Sequence, residues 1–96
     1  MQLATTSTHA TLAATRTLLT WSYRVSSILI SNASAAAITT VTITDADDVT
    51  KAIITVPKTD TVDWTVDMIW DNGMKASAAA PTADTTITVA HSAAGV

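Results

Sequence analysis

The sequence predicts an all-β fold, an antiparallel β-sandwich of seven to eight short strands with either immunoglobulin-like or jelly-roll connections. Three observations carry this expectation. Twenty of the 96 residues are threonine, every acidic residue is aspartate, and phenylalanine and glutamate are absent. Threonine is β-branched and favours strands, while aspartate marks the turns between them. Apolar residues recur with a period of two over several stretches, and no stretch holds a helical period. Turn signals punctuate those stretches at fairly even spacing.

Taken in order, Met1 to Thr15 is a low-complexity run of Thr, Ala and Ser with Leu3 and Leu12, read as an N-terminal arm or a loose edge strand. The remainder, 16–96, reads as a single β-sandwich domain. From Arg16 to Ser31 the alternating face of Trp21, Tyr23 and Val25 changes phase at Ser26-Ser27, after which Ile28 and Ile30 take it over. A β-bulge, or a break between two strands, produces such a shift. Asn32-Ala33-Ser34 supplies turn residues, and Ala35 to Ala37 could extend a short helical turn.

Ile38 to Asp45 alternates again, Asp45-Ala46-Asp47-Asp48 closes it, and Val49 to Val56 resumes as a strand ended by Pro57. Thr61 to Trp70 shows the cleanest alternation, with Val62, Trp64, Val66, Met68 and Trp70 on one side and Ile69 alone out of pattern. Burying those five side chains does not by itself offset the entropy of ordering ten residues, which places this strand centrally, flanked on both edges. Asn72-Gly73 then predicts a type I′ hairpin into an alanine-rich return strand, Met74 to Ala79. Pro81 to Asp84 makes a further turn, Thr85 to His91 a last strand, and Ser92 to Val96 a frayed tail.

Composition narrows the function classes. No cysteine is present, so neither disulfides nor thiolate metal sites supplement a small core. A net charge of -3 and scattered basic residues argue against nucleic-acid binding. No apolar run approaches a membrane span, and the N-terminus lacks the basic start and apolar run of a signal peptide. A protein made and assembled in the cytoplasm is the expectation.

Candidate chemistry is sparse. Asp63 and Asp67 share the outer face of one strand but stand about 13 Å apart, beyond the ~5–9.5 Å that paired glycosidase carboxylates use. Asp45, Asp47 and Asp48, with Asp60 or Asp84 brought near, could offer oxygens to calcium, but the loop lacks the glycine and terminal glutamate of a calcium hand. His9 and His91 lie at opposite ends of the chain and form neither a zinc motif nor a triad. Trp21 and Tyr23 could form a sugar-stacking platform, although their alternation with Val25 favours the core. No catalytic, cofactor or metal residue is therefore assigned, and an enzyme is not expected.

Four motifs carry a resemblance over about Trp21 to His91. They are the run Tyr23-Arg24-Val25-Ser26-Ser27-Ile28-Leu29-Ile30-Ser31-Asn32, the Val62-x-Trp64-x-Val66 strand, Asp71-Asn72-Gly73-Met74, and Thr86-Ile87-Thr88-Val89-Ala90-His91. With them the chain resembles the small β-sandwich proteins of tailed-bacteriophage virions, especially capsid decoration or cement proteins. The resemblance implies a virion structural protein on the capsid surface, a homo-oligomer with a trimer favoured. Its partner would be the major capsid protein, with neither nucleic acid nor membrane involved, and residues 1–15 would reach the capsid or a neighbouring subunit. A position at the neck, tail or baseplate, or a module binding glycans or a host surface, are the alternatives.

Overall fold

The structure is a computed structural model that describes residues 6–79 and 84–93. Eight strands occupy them: β1 (Thr6–Thr11), β2 (Arg16–Leu19), β3 (Tyr23–Asn32), β4 (Thr39–Thr44), β5 (Thr50–Val56), β6 (Asp60–Trp70), β7 (Met74–Ala78) and β8 (Thr85–Ala93). They form two four-stranded antiparallel sheets, sheet A in the order β1-β8-β3-β6 and sheet B in the order β2-β7-β4-β5. The fold is all-β, as the composition and the period-two patterning predict.

Its connectivity follows one rule. β1 pairs with β8, β2 with β7, β3 with β6 and β4 with β5. A chain doubled into one long hairpin and then rolled up gives those four pairs and deals them alternately to the two sheets. The β3–β8 and β4–β7 ladders close each sheet. Of the two connection schemes left open by the sequence, this is the jelly roll.

Alternation builds the core. Val25, Ile28 and Ile30 of β3, Val41 and Ile43 of β4, Met74, Ala76 and Ala78 of β7, and Ile87 and Val89 of β8 are all buried in one cluster between the sheets. The phase change at Ser26-Ser27 is real: both the β3–β6 and β3–β8 registers shift between Val25 and Ser27. On β6 the shift spans Thr65 to Met68, and Asp67 there adopts φ 42°, the left-handed conformation that a bulge tolerates.

Three expectations are corrected. First, β6 is the edge of sheet A and not a central strand; β3 flanks one side, and Val62, Trp64 and Val66 are only half-buried. The jelly-roll winding explains this, because β8 takes the other side of β3 and leaves β6 as the terminal strand. Second, Asn72-Gly73 does not close a hairpin. Both residues have positive φ, 65° and 76°, as the dipeptide predicts, but the corner carries the chain from sheet A to sheet B, and β6 and β7 lie in different sheets.

Third, Trp21 lies in the loop between β2 and β3 and is 74% exposed, so it does not share the inward face of Tyr23 and Val25. Of the two readings of the N-terminal segment, arm or loose edge strand, the second holds over Thr6–Thr11, an edge strand in register with Thr86–His91. Ala10 and Leu12 are buried there, which gives even this low-complexity segment two anchors. Residues 1–5 lie outside the described residues, as do 80–83 of the expected turn and 94–96 of the expected frayed tail, whose first two residues, Ser92 and Ala93, belong to β8. Ala35 and Ala36 form a bend and not a helical turn, held by Ser34 Oγ accepting from the N–H groups of Ala36 and Ala37.

Candidate functional site

Loop interactions define the two ends of the sandwich. At one end meet the loops between β2 and β3, β4 and β5, and β6 and β7. Ala46 N–H donates to Asn72 O at 2.8 Å, Gly73 N–H to Trp21 O at 3.2 Å, and Asn72 Nδ2 to Asp47 Oδ2 at 2.8 Å. At the other end, the side chain of buried Asn32 donates to the carbonyls of Ala37, Val56 and Pro57 and accepts from Ser34 N–H.

The aspartate cluster belongs to the first end and is built into it. Asp45 is buried, and its Oδ1 accepts from Asp47 N–H at 2.9 Å and Val49 N–H at 3.0 Å. The Val49 hydrogen bond is the largest influence on its carboxyl, holding it below the ordinary value of 3.8 against the opposing effect of burial. Asp47 is engaged by Asn72, and Asp48 pairs with Lys75 Nζ at 3.0 Å. The three carboxylates thus satisfy backbone donors of their own loop and side-chain donors from the β6–β7 corner and β7. Among the described residues no three histidines or acidic residues converge as a metal site.

The remaining sequence candidates are dispersed. Asp63 and Asp67 lie on the exposed face of β6, and Asp67 accepts from Arg24 Nε at 3.0 Å. His9 is exposed on β1, with Nδ1 2.7 Å from Thr88 Oγ1. His91 is not a strand-end residue: it faces inward within β8, 2.9 Å from Thr8 Oγ1 and edge-on to Tyr23 at 4.8 Å. Burial pushes its imidazole below the usual 6.5. A threonine–imidazole pair resembles part of a nucleophilic triad, but His91 Nδ1 has no hydrogen-bond partner, so nothing orients the ring as a base.

The feature with binding character lies at the rim. A recess of about 240 Å³ is lined by Lys51 of β5, by Trp64, Met68, Ile69 and Trp70 of β6, and by Asp71. It is larger than the ~150 Å³ cavity that admits benzene and smaller than the ~300–1,000 Å³ of drug-sized sites, so it suits one ring-sized group. Two indoles and a thioether form an apolar wall, while Lys51 and Asp71 place one charge of each sign at its edge. Trp70 is buried, and its Nε1–H has no hydrogen-bond partner. The sequence holds one visible clue to this recess. Ile69 is the residue that breaks the alternation of β6, and it lies exposed beside Met68.

No family model matches the chain, and no curated protein is significantly similar to it.

Proposed function

We propose that this protein is a structural protein of a tailed-phage virion, a decoration protein that stabilises contacts between major capsid subunits. In this reading it sits on the capsid surface as a homo-oligomer, with a trimer favoured, after assembly in the host cytoplasm. The observation that carries the proposal is a jelly roll of 96 residues with large apolar side chains at its rim and loops. Trp21, Ile38, Val49, Ile53, Met68 and Ile69 are all exposed. Burying such side chains between subunits would add to what a small core contributes. Jelly rolls recur in viral capsids.

Position in the particle is the test. Density for the protein on the capsid lattice in electron micrographs of purified particles is the expected result. Density at the neck, tail or baseplate would move it to the alternative virion role. A strict monomer that never co-purifies with particles would overturn both.

A second reading has its own supporting observation. Lectins also use the jelly roll, and exposed Trp21 together with the indole-walled recess offers stacking surfaces for a sugar ring. Titrating the protein with a saccharide panel and following tryptophan fluorescence separates this reading from the first. Silence across the panel rejects it.

A further inference from the structure

We propose that the outer edge of β6 pairs with β1 of a second copy of this chain, so that sheet A runs on from one protomer into the next. The joint deepens the assembly reading and rests on it only in supposing that copies associate.

Strand direction permits it. β1 and β6 are the two terminal strands of sheet A, and three antiparallel steps separate them, so β6 runs opposite to β1. A neighbour in the same orientation therefore presents its β1 antiparallel to β6. Such a contact is heterologous and closes into a ring when successive copies are rotated about an axis along the strands.

Length and face agree with it. β6 is regular from Asp60 to Thr65, before the shift that ends at Met68, a length close to that of six-residue β1. Thr8 and Ala10 of β1 lie opposite core residues Val89 and Ile87 and so share the inward face. Val62 and Trp64 hold that face on β6. Keeping inward faces together restricts the register to even steps. The register that lays Ser7–Thr11 along Thr65–Thr61 sets Ala10 beside Val62 and Thr8 beside Trp64, small side chains next to large ones.

On the outer face the same register sets His9 directly opposite Asp63. β1 contains no acidic residue, so no like charges meet along the joint. A twofold β6–β6 joint lacks this complementarity. Centred on Asp63 it opposes that residue to itself, and centred on Thr65 it opposes Asp63 to Asp67. Centred on Trp64 it opposes that indole to itself, and centred on Val62 it sets Asp60 opposite Trp64, so neither offers the small-against-large fit that β1 gives.

Cysteine cross-linking of the full chain tests the joint, because the native sequence has no cysteine. Positions 9 and 63 in one chain are three inter-strand spacings apart, roughly 14 Å, too far for an internal disulfide. Mild oxidation of His9→Cys/Asp63→Cys is expected to give covalent dimers, trimers and higher multiples that collapse on reduction, with each single variant staying at monomer mass. Dimers from Asp63→Cys alone would place β6 on a twofold and overturn the proposal, and so would a double variant that stays monomeric. The cross-link is read on purified protein and the virion role on particles, so either can fail without the other.

Discussion

Asn72 Nδ2 donates to Asp47 Oδ2 across 2.8 Å and ties the corner between β6 and β7 to the loop between β4 and β5. The bond joins the corner that carries the chain from sheet A to sheet B to a loop within sheet B. With Ala46 N–H on Asn72 O and Gly73 N–H on Trp21 O, it makes three loops at one end of the sandwich into one hydrogen-bonded cap. Asn32 plays the corresponding part at the opposite end, where its side chain bridges the β3–β4 loop to the end of β5. The two sheets are thus joined by polar locks at both ends as well as by the apolar core between them.

Gly73 is the least replaceable residue of the first lock. Its φ is 76°, and a Cβ there would stand 2.8 Å from the carbonyl oxygen of Leu19, a backbone atom with no easy retreat. Gly73→Ala is expected to lose about 2–4 kcal/mol of stability through left-handed strain plus the clash. Asn72→Gly keeps the conformation and forfeits the Asp47 bond, a loss of about 1 kcal/mol. Urea midpoints of the two variants check this, and an equal loss in both would refute the steric account.

At the other lock, Asn32 is 2% exposed and its amide serves three carbonyls. Asn32→Ala leaves those carbonyls without this donor and opens a small void, for an expected loss of about 2–4 kcal/mol. Asn32→Asp is expected to be worse at neutral pH, because an anionic oxygen would face carbonyl oxygens. A thermal melt of each variant, with the Asp form no worse than the Ala form at pH 7, would contradict the assigned hydrogen bonds.

The residues that make these locks also mark how far the sequence could be read. Period-two patterning located β3 to β8 to within a few positions but neither resolved β1 nor separated β2 from β3, and Asn72-Gly73 announced its positive φ angles correctly. What local pattern does not encode is the partner of a strand. An Asn-Gly turn conforms equally to a hairpin and to a corner between sheets, and only the pairing of β6 with β3, decided by residues some forty positions apart in sequence, selects the corner. Trp21 went astray for a related reason: β2 ends at Leu19, so the alternation that seemed to include Trp21 begins only at Tyr23. The rim recess was legible just through Ile69, because exposure at a sheet edge depends on which strand is terminal.

The three tryptophans are expected to separate clearly on truncation. Trp70 is 5% exposed, and Trp70→Ala should cost about 3–5 kcal/mol. Trp64 is half-buried at the sheet edge, so Trp64→Ala should cost less, about 1–3 kcal/mol. Trp21→Ala should stay within about 0.5 kcal/mol of the parent, as exposed sites do. Acrylamide quenching gives an independent reading, because loss of Trp21 should remove the most accessible emission. A destabilised Trp21→Ala would mean that the loop packs where it is shown exposed.

Two groups give stability a stepwise dependence on pH. His91 is held below its ordinary 6.5 by burial, so the folded state resists a proton that the unfolded chain accepts. Its contribution is whole above pH 6.5 and falls as the pH drops below that value. Asp45 is held below 3.8, first by Val49 N–H and further by Asp47 N–H, Lys51 and Asn72, with burial opposing. Its contribution is whole above 3.8 and is lost as the pH falls through its lower folded value. Melting temperature against pH is therefore expected to decline in two stages on acidification. His91→Phe, which retains a ring against Tyr23, should abolish the upper stage and leave the lower. Asp45→Asn, which can still accept from Val49, should flatten the lower stage and leave the upper. A His91→Phe profile that still declines just below pH 6.5 would show that another group carries the upper stage.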